Sequence, residues 1–176
     1  MSLRESNADV DQKAVASSLL GLANAYWGQE NLPEALIHAQ RALTLNKSVL
    51  LGNDRQIAAN LAILANIYYH SDDDIRALDF SKQALSVLES CPSPDLPSLV
   101  TILNNMGTIQ VGAGLFDDAL LTFIRVMHIY DAILPKGHQK RTIIEDNIRR
   151  MTEIQKNNVV NLFSQFSNSL TRLLLL

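Results

Sequence analysis

The sequence repeats itself with a period of 42 residues, and this repeat constrains the fold more than any other feature. A shift by one period aligns apolar or small residues of three copies in seven columns. The columns are Leu19/Leu61/Leu103, Leu22/Leu64/Met106, Ala23/Ala65/Gly107, Ala35/Ala77/Ala119, Leu36/Leu78/Leu120, Ala42/Ala84/Val126 and Leu43/Leu85/Met127. A fourth, partial copy places Ile148 under Met106. A period of this length is typical of stacked supersecondary units.

Within each copy the apolar residues follow helical spacing. One helix face carries Leu19, Leu22, Ala23 and Tyr26, and a second carries Ala35, Leu36, Ala39, Ala42 and Leu43. Short polar or glycine-containing turns separate the two faces at residues 28–31, 70–73 and 112–115. Each copy therefore predicts two antiparallel helices.

Helix boundaries follow from capping and proline signals. We expect helices at about 10–28, 32–48, 55–70, 74–90, 97–112, 116–133, 139–156 and 158–174. Asp54 is the expected N-cap of the third helix, and Ser71, with Asp74 three residues later, that of the fourth. Pro33 and Pro97 fit a first helical turn. Ala23, Ala65 and Gly107 are expected where paired helices approach closely, so larger side chains there should cost about 1–3 kcal/mol.

These columns resemble the tetratricopeptide repeat. The likeness rests on residues 22–26 (LANAY) with Ala35 and Ala42, and on residues 64–68 (LANIY) with Ala77 and Ala84. The third copy departs from the pattern, since Gln110 stands where the tyrosine belongs. The 42-residue period, with residues 50–54 (LLGND) and 103–106 (LNNM), is similar to the repeat variant of kinesin light chains.

The resemblance implies an all-α fold, a right-handed superhelix of antiparallel helical hairpins. It covers residues 10–155, as three repeats and a partial fourth, and leaves residues 157–176 as a C-terminal amphipathic capping helix or tail. It also implies a scaffold whose concave groove binds a peptide or helix of a protein partner. The alternative is a regulatory or oligomerisation segment of a larger multidomain protein.

The first helix of each hairpin is expected to line that groove. The candidate peptide-binding residues are Leu20, Asn24, Trp27, Ala62, Asn66, Tyr69, Asn104, Thr108 and Val111. Asparagine amides can bond an extended peptide backbone, and Trp27 and Tyr69 can anchor apolar side chains. Alternatively, Trp27 and Tyr69 cover neighbouring helices, and the asparagines are solvated or act as spacers.

Chaperone-binding members of the family clamp a C-terminal carboxylate with lysine and arginine on this face. The corresponding places hold uncharged residues, namely Leu20, Asn24, Thr101, Asn104 and Asn105. We therefore expect no carboxylate clamp. The basic residues with which kinesin light chains bind acidic cargo peptides are not evident either.

The tail is a second candidate interaction surface. Its apolar residues fall largely on one helical face: Val159, Leu162, Phe163, Phe166, Leu170, Leu173 and Leu174. Three interpretations stay open, namely a cap on the last hairpin, a partner-binding or self-associating helix, and contact with a membrane surface. The last fits poorly, because Arg172 is the tail's only basic residue.

Composition and motifs argue against other functions. The net charge of −3 and a weak basic region around residues 136–156 do not favour nucleic acid. The four histidines lie on separate elements, and Cys91 is the only cysteine, so we expect neither a metal site nor a cofactor. No nucleophile motif or phosphate loop is recognised, and we predict no enzymatic activity. No signal peptide or membrane span is evident, so the expected location is the cytoplasm.

Overall fold

The structure is a computed structural model that describes residues 3–50, 54–93 and 95–174, with side chains from residue 11 to residue 161 within those ranges. In these ranges the chain forms helices and short connections only. The helices are α1 (Leu3–Gly28), α2 (Leu32–Val49), α3 (Arg55–His70), α4 (Asp74–Glu89), α5 (Leu96–Gly112), α6 (Phe116–Ile133) and α7 (Gln139–Leu174).

Consecutive helices pack as hairpins that stack on one another. The pairs α1/α2, α3/α4 and α5/α6 form the three hairpins, α2/α3 and α4/α5 join them, and α7 packs on α6. First helices also touch directly, α1 with α3 and α3 with α5. This confirms the predicted all-α solenoid, in which each hairpin buries its apolar face against its neighbours.

The repeat columns form the core. Leu19, Leu61 and Leu103 are all buried, and the alanines at 35, 77 and 119 have no exposed surface. The three alanines favour the helix and have small side chains, which allow the two helices of each hairpin to approach closely. The sequence periodicity thus predicts which face of each helix is buried.

Side-chain caps start α2, α3 and α4. Asp54 Oδ1 accepts from the backbone N–H of Gln56 at 2.8 Å, as expected for the N-cap of α3. The cap of α4 is Asp73, whose Oδ1 accepts from the Arg76 N–H at 3.0 Å, so the prediction of Ser71 was wrong. Ser71 instead ends α3, where its hydroxyl donates to the Ile67 carbonyl at 2.9 Å.

The turn inside each hairpin has the same backbone geometry in all three copies. Glu30, Asp72 and Gly114, one period apart, have φ values of 59°, 58° and 72°. The following N–H groups, of residues 31, 73 and 115, donate back to the carbonyls of residues 26, 68 and 110 at 2.8–3.0 Å. This is the Schellman ending, in which a left-handed residue closes the helix.

Helix α7 differs from the expected pair of helices at 139–156 and 158–174. It runs unbroken from Gln139 to Leu174, because residues 155–160 (QKNNVV) contain neither glycine nor proline to end it. Ile144 and Met151 are buried, and Gln155 Nε2 donates to Asp117 Oδ1 at 2.5 Å. The apolar face predicted for the tail begins at Val159. From Leu162 onward its side chains lie outside the part of the chain whose side chains the structure describes.

Candidate protein-binding groove

A cavity of about 570 Å³ opens between α5, α6 and α7, and we call it the large cavity. Its wall on α5 is formed by Pro97, Val100, Thr101, Asn104, Asn105 and Thr108. Its other lining residues are Phe123, Tyr130, Ile133, Leu134, Lys140, Ile143, Ile144 and Asn147. The lining therefore combines an apolar floor with amide groups, as ligand sites commonly do.

A second cavity of about 320 Å³, the small cavity, lies between α3 and α5. It is lined by Arg55, Ala58, Ala59, Ala62, Ile63, Asn66, Leu88, Pro97, Ser98, Thr101, Ile102 and Asn105. Pro97, Thr101 and Asn105 line both cavities. The two cavities are thus parts of one groove across the first helices α3, α5 and α7, which we call the α3/α5/α7 groove.

The two cavities occupy equivalent places in successive repeats. A shift of one 42-residue period converts every lining residue of the small cavity except Pro97 into a lining residue of the large cavity. Ala62 corresponds to Asn104, and Leu88 corresponds to Tyr130. The place between α3 and α5 and the place between α5 and α7 therefore each hold one cavity, and side-chain identity sets the character of each.

The charges in the groove are sparse and of one sign. Arg55 and Lys140 are the only charged side chains among the lining residues of the two cavities, and no carboxylate is among them. Both lie near the first turns of their helices, α3 and α7. Arg55 is held by a hydrogen bond of 2.5 Å from its Nη2 to the Ser93 carbonyl. That edge of the groove is positive, as helix N-termini also are.

Four of the nine predicted groove residues line the cavities. Ala62 and Asn66 lie in the small cavity, and Asn104 and Thr108 lie in the large one. The Asn104 Oδ1 atom is buried and accepts no hydrogen bond within the described part of the chain. These residues remain candidates for peptide contact.

Trp27 and Tyr69 instead contact the next hairpin. The Trp27 ring packs at 5.6 Å from the His70 ring, and a methyl group on Gly112 would lie 2.9 Å from Tyr69 Cε2. His70 and Gly112 are themselves one period apart. These contacts fit the alternative interpretation, in which the two aromatic residues cover neighbouring helices. Leu20, Asn24 and Val111 line neither cavity; Leu20 and Val111 are half-buried, and Asn24 is exposed.

Sequence reasoning missed several lining residues. Phe123 and Tyr130 come from α6, the second helix of its hairpin, whereas the prediction considered first helices only. Lys140, Ile143 and Asn147 come from α7. The period itself could have found Asn147, because it lies 42 residues beyond Asn105.

Within the described part of the chain, no helix is long and apolar enough to span a bilayer. Nor do three or more His, Cys, Asp or Glu side chains gather there in a way that could hold a metal ion.

Stacked helical hairpins with a groove across their first helices define an α-solenoid scaffold for protein–protein interaction. The sequence model of the tetratricopeptide repeat matches residues 14–90 and 56–132, which together exceed half of the chain. The chain therefore belongs to the tetratricopeptide repeat family, and its period makes it similar to the kinesin light chain type. No curated protein matches its sequence.

Solved structures with the same fold have low sequence identity to this chain. A putative kinesin light chain with nearly identical repeats from Podosopora anserina is 18% identical, with a TM-score of 0.69 over 85% of this chain and 72% of that one. BtubC (BKLC) from P. vanneervenii is 18% identical, with a TM-score of 0.71 over 78% and 55%. The N-terminal domain of stress-induced protein-1 from C. elegans is 13% identical, with a TM-score of 0.61 over 80% and 97%. Identities this low support the fold alone.

Proposed function

We propose that the protein is a non-enzymatic scaffold that binds a segment of a partner protein in the α3/α5/α7 groove. The observation that supports this most is the continuity of the two cavities through Pro97, Thr101 and Asn105. A continuous groove suits an extended chain, whereas a small metabolite would occupy one cavity.

The polar groups of the groove suit a peptide backbone. Asn66, Asn104, Asn105 and Asn147 offer amide donors and acceptors along α3, α5 and α7. Asn104 Oδ1 lacks a partner among the described residues, and rotation of its amide would let it accept from a backbone N–H of the ligand. A buried acceptor without a partner costs about 1–3 kcal/mol, and a bound peptide would remove that cost.

The test is selection of binders from a displayed library of random 12-residue peptides on the full chain. Affinities of the selected peptides are then measured by fluorescence anisotropy with the wild type and with Thr101→Arg, which projects a long cation from the part shared by both cavities. Thr44→Arg is the matched control. Both threonines are exposed and donate to the carbonyl four residues earlier, Thr44 at 3.0 Å and Thr101 at 2.9 Å, but Thr44 lies on α2 and lines neither cavity.

We expect Thr101→Arg to weaken binding at least tenfold and Thr44→Arg to leave it unchanged. Equal effects of the two substitutions, or selected peptides that bind the Thr101 variant normally, would contradict the groove as the binding site. Circular dichroism of both variants checks that the helices are intact.

A second candidate function is self-association through the C-terminal part of α7, within a larger protein. The observation that favours it is that α7 continues to Leu174, with Val159 and Val160 half or more exposed. Light scattering after size exclusion tests it, comparing the full chain with a chain that ends at Lys156 and keeps the Gln155–Asp117 hydrogen bond. A dimer formed only by the full chain supports self-association, whereas two monomers rule it out.

A further inference from the structure

We infer that the groove recognises two apolar side chains of one extended segment, a bulky one in the large cavity and a small one in the small cavity. This rests on the proposed function and adds the chemistry of the ligand. The structural basis is the equivalence of the two cavities under the 42-residue shift. A repeated site is best filled by a ligand that presents one anchor to each copy.

The sizes of the cavities assign the anchors. The volumes, about 570 Å³ and 320 Å³, both reach the range of about 300–1,000 Å³ in which ligand sites fall. The difference between them means that the two anchors are not interchangeable. The larger side chain belongs between α5, α6 and α7.

The linings give the same assignment. The rings of Phe123 and Tyr130 contribute to the large cavity, and aromatic rings favour offset or edge contacts with another ring. The small cavity has instead Ala58, Ala59 and Ala62, with Leu88 and Ile102. A short aliphatic side chain fits that surface, since no aromatic ring of the protein is among its lining residues.

The charges restrict the residues around the anchors. Arg55 and Lys140 mark one edge of the groove, and no carboxylate lines either cavity to compensate a cation of the ligand. A lysine or arginine between or beside the anchors would meet like charge without a counter-ion. The recognised segment is therefore free of basic residues over this stretch.

The packing of α3 against α5 sets the separation of the anchors. Packed helices such as α3 and α5 lie about 8–10 Å apart, and we expect the two equivalent cavities to be separated by about the same distance. An extended polyproline-II chain rises about 3.1 Å per residue with three residues per turn, which brings residues i and i+3 to one side about 9 Å apart. The two anchors are thus expected three positions apart.

The test uses two cavity-filling variants at equivalent positions. Ala62→Phe fills the small cavity, and Asn104→Phe, one period further on, fills the large one. Peptides selected on the wild-type full chain are measured as they are, with the bulky anchor changed to alanine, and with the small anchor changed to glycine. Each peptide is titrated against the wild type and both variants, and the free-energy couplings are read from the resulting cycles.

With the wild type we expect loss of the bulky anchor to weaken binding at least tenfold. This weakening should shrink to less than threefold with Asn104→Phe and persist with Ala62→Phe. The weakening caused by substitution of the small anchor should instead shrink with Ala62→Phe and persist with Asn104→Phe. Peptides that bind through the groove with a single anchor, or with both anchors coupled to the same variant, would overturn the inference but leave the proposed function standing. If Thr101→Arg also fails to weaken these peptides, both fall.

Discussion

Gly107 on α5 leaves the space that the ring of Phe123 on α6 occupies in the third hairpin. A methyl group at Gly107 would lie 2.7 Å from Cε1 and 2.8 Å from Cζ of the Phe123 ring. The equivalent pairs in the earlier hairpins are Ala23 with Ala39 and Ala65 with Ser81. In the third hairpin the first helix carries a smaller residue at this position and the second helix a larger one. Gly107 thereby provides the space for the Phe123 ring.

Gly107→Ala is expected to destabilise the protein. Overpacking of a buried site costs about 1–3 kcal/mol, whereas alanine in a helix gains about 0.5–1 kcal/mol over glycine, which leaves a net loss of about 0.5–2 kcal/mol. The measurement is the free energy of unfolding from urea titration followed by circular dichroism.

Gly21→Ala is the matched control, because Gly21 lies within α1 and a methyl group there meets nothing within 4 Å. It should stabilise by about 0.5–1 kcal/mol. The double substitution Gly107→Ala with Phe123→Ala removes the clash but loses the ring, so it separates the two effects. A Gly107→Ala protein as stable as Gly21→Ala would mean that the Phe123 ring swings aside into the large cavity at no cost.

Gln110 and Thr122 are a second pair of contacting residues in the third hairpin that both differ from their counterparts in the first two hairpins. Their equivalents are Tyr26 stacked on His38 and Tyr68 stacked on Phe80, with ring centroids 5.3 Å apart in both pairs. In the third copy the Thr122 hydroxyl donates to Gln110 Oε1 at 2.8 Å, and both side chains are buried. The apparent departure at Gln110 is therefore one half of a pair that changed together.

Thr122→Val should destabilise the protein by about 1–3 kcal/mol, because it keeps the shape but leaves Gln110 Oε1 buried without its donor. Combining it with Gln110→Leu replaces both polar partners by apolar groups and should recover most of the loss. Urea titration of the wild type, both single variants and the double variant gives the coupling energy. Additive losses in the double variant would show that the hydrogen bond contributes nothing specific.

The sequence predicts which repeat positions are apolar better than it predicts whether the copy at the end of the stack is buried. Leu64 and Met106 are buried, as the repeat predicts, but Leu22 in the same column is 46% exposed. The reason is positional: α2 packs on α3 and α4 packs on α5, whereas no described helix precedes α1. Periodicity states that a position is apolar, while burial also depends on which neighbour the position meets.

The groove was predictable in part for a related reason. Asn66, Asn104 and Thr108 follow from the exposed face of each first helix. Phe123 and Tyr130 reach the large cavity from α6 because α5 and α7 leave a gap above them. Such a gap depends on how three helices diverge, which no spacing within one helix encodes.

Glu30→Gly should stabilise the first hairpin. A non-glycine residue in the left-handed region costs roughly 1–2 kcal/mol, and glycine costs about 0.4–1 kcal/mol through the freer unfolded chain, so we expect a net gain of roughly 0.5–1 kcal/mol. Thermal and urea unfolding measure it. The reciprocal control is Gly114→Ala, which meets no atom within 4 Å and should lose stability through backbone strain alone. If both substitutions were neutral, the turn would not be under strain.

Asp73 is expected to make the stability of α4 sensitive to acid. The backbone N–H of Arg76 is the main cause that holds the pKa of Asp73 below its usual value of 3.8, and the Arg76 guanidinium adds to it. Because the folded-state pKa is the lower one, the carboxylate's contribution is fully present well above pH 3.8. It is lost as the pH falls through the folded pKa. The stability difference between the wild type and Asp73→Ala should therefore be constant above about pH 5 and decline below 3.8.

A carboxyl-detected NMR titration measures the same effect at the residue itself. The Asp73 pKa should lie below 3.8 in the wild type. In Arg76→Ala the backbone N–H remains, so the pKa should rise only part of the way and α4 should keep its cap. A wild-type pKa at or above 3.8 would contradict the cap as described. Full return of the pKa in Arg76→Ala would mean that the guanidinium, and not the helix N-terminus, stabilises the carboxylate.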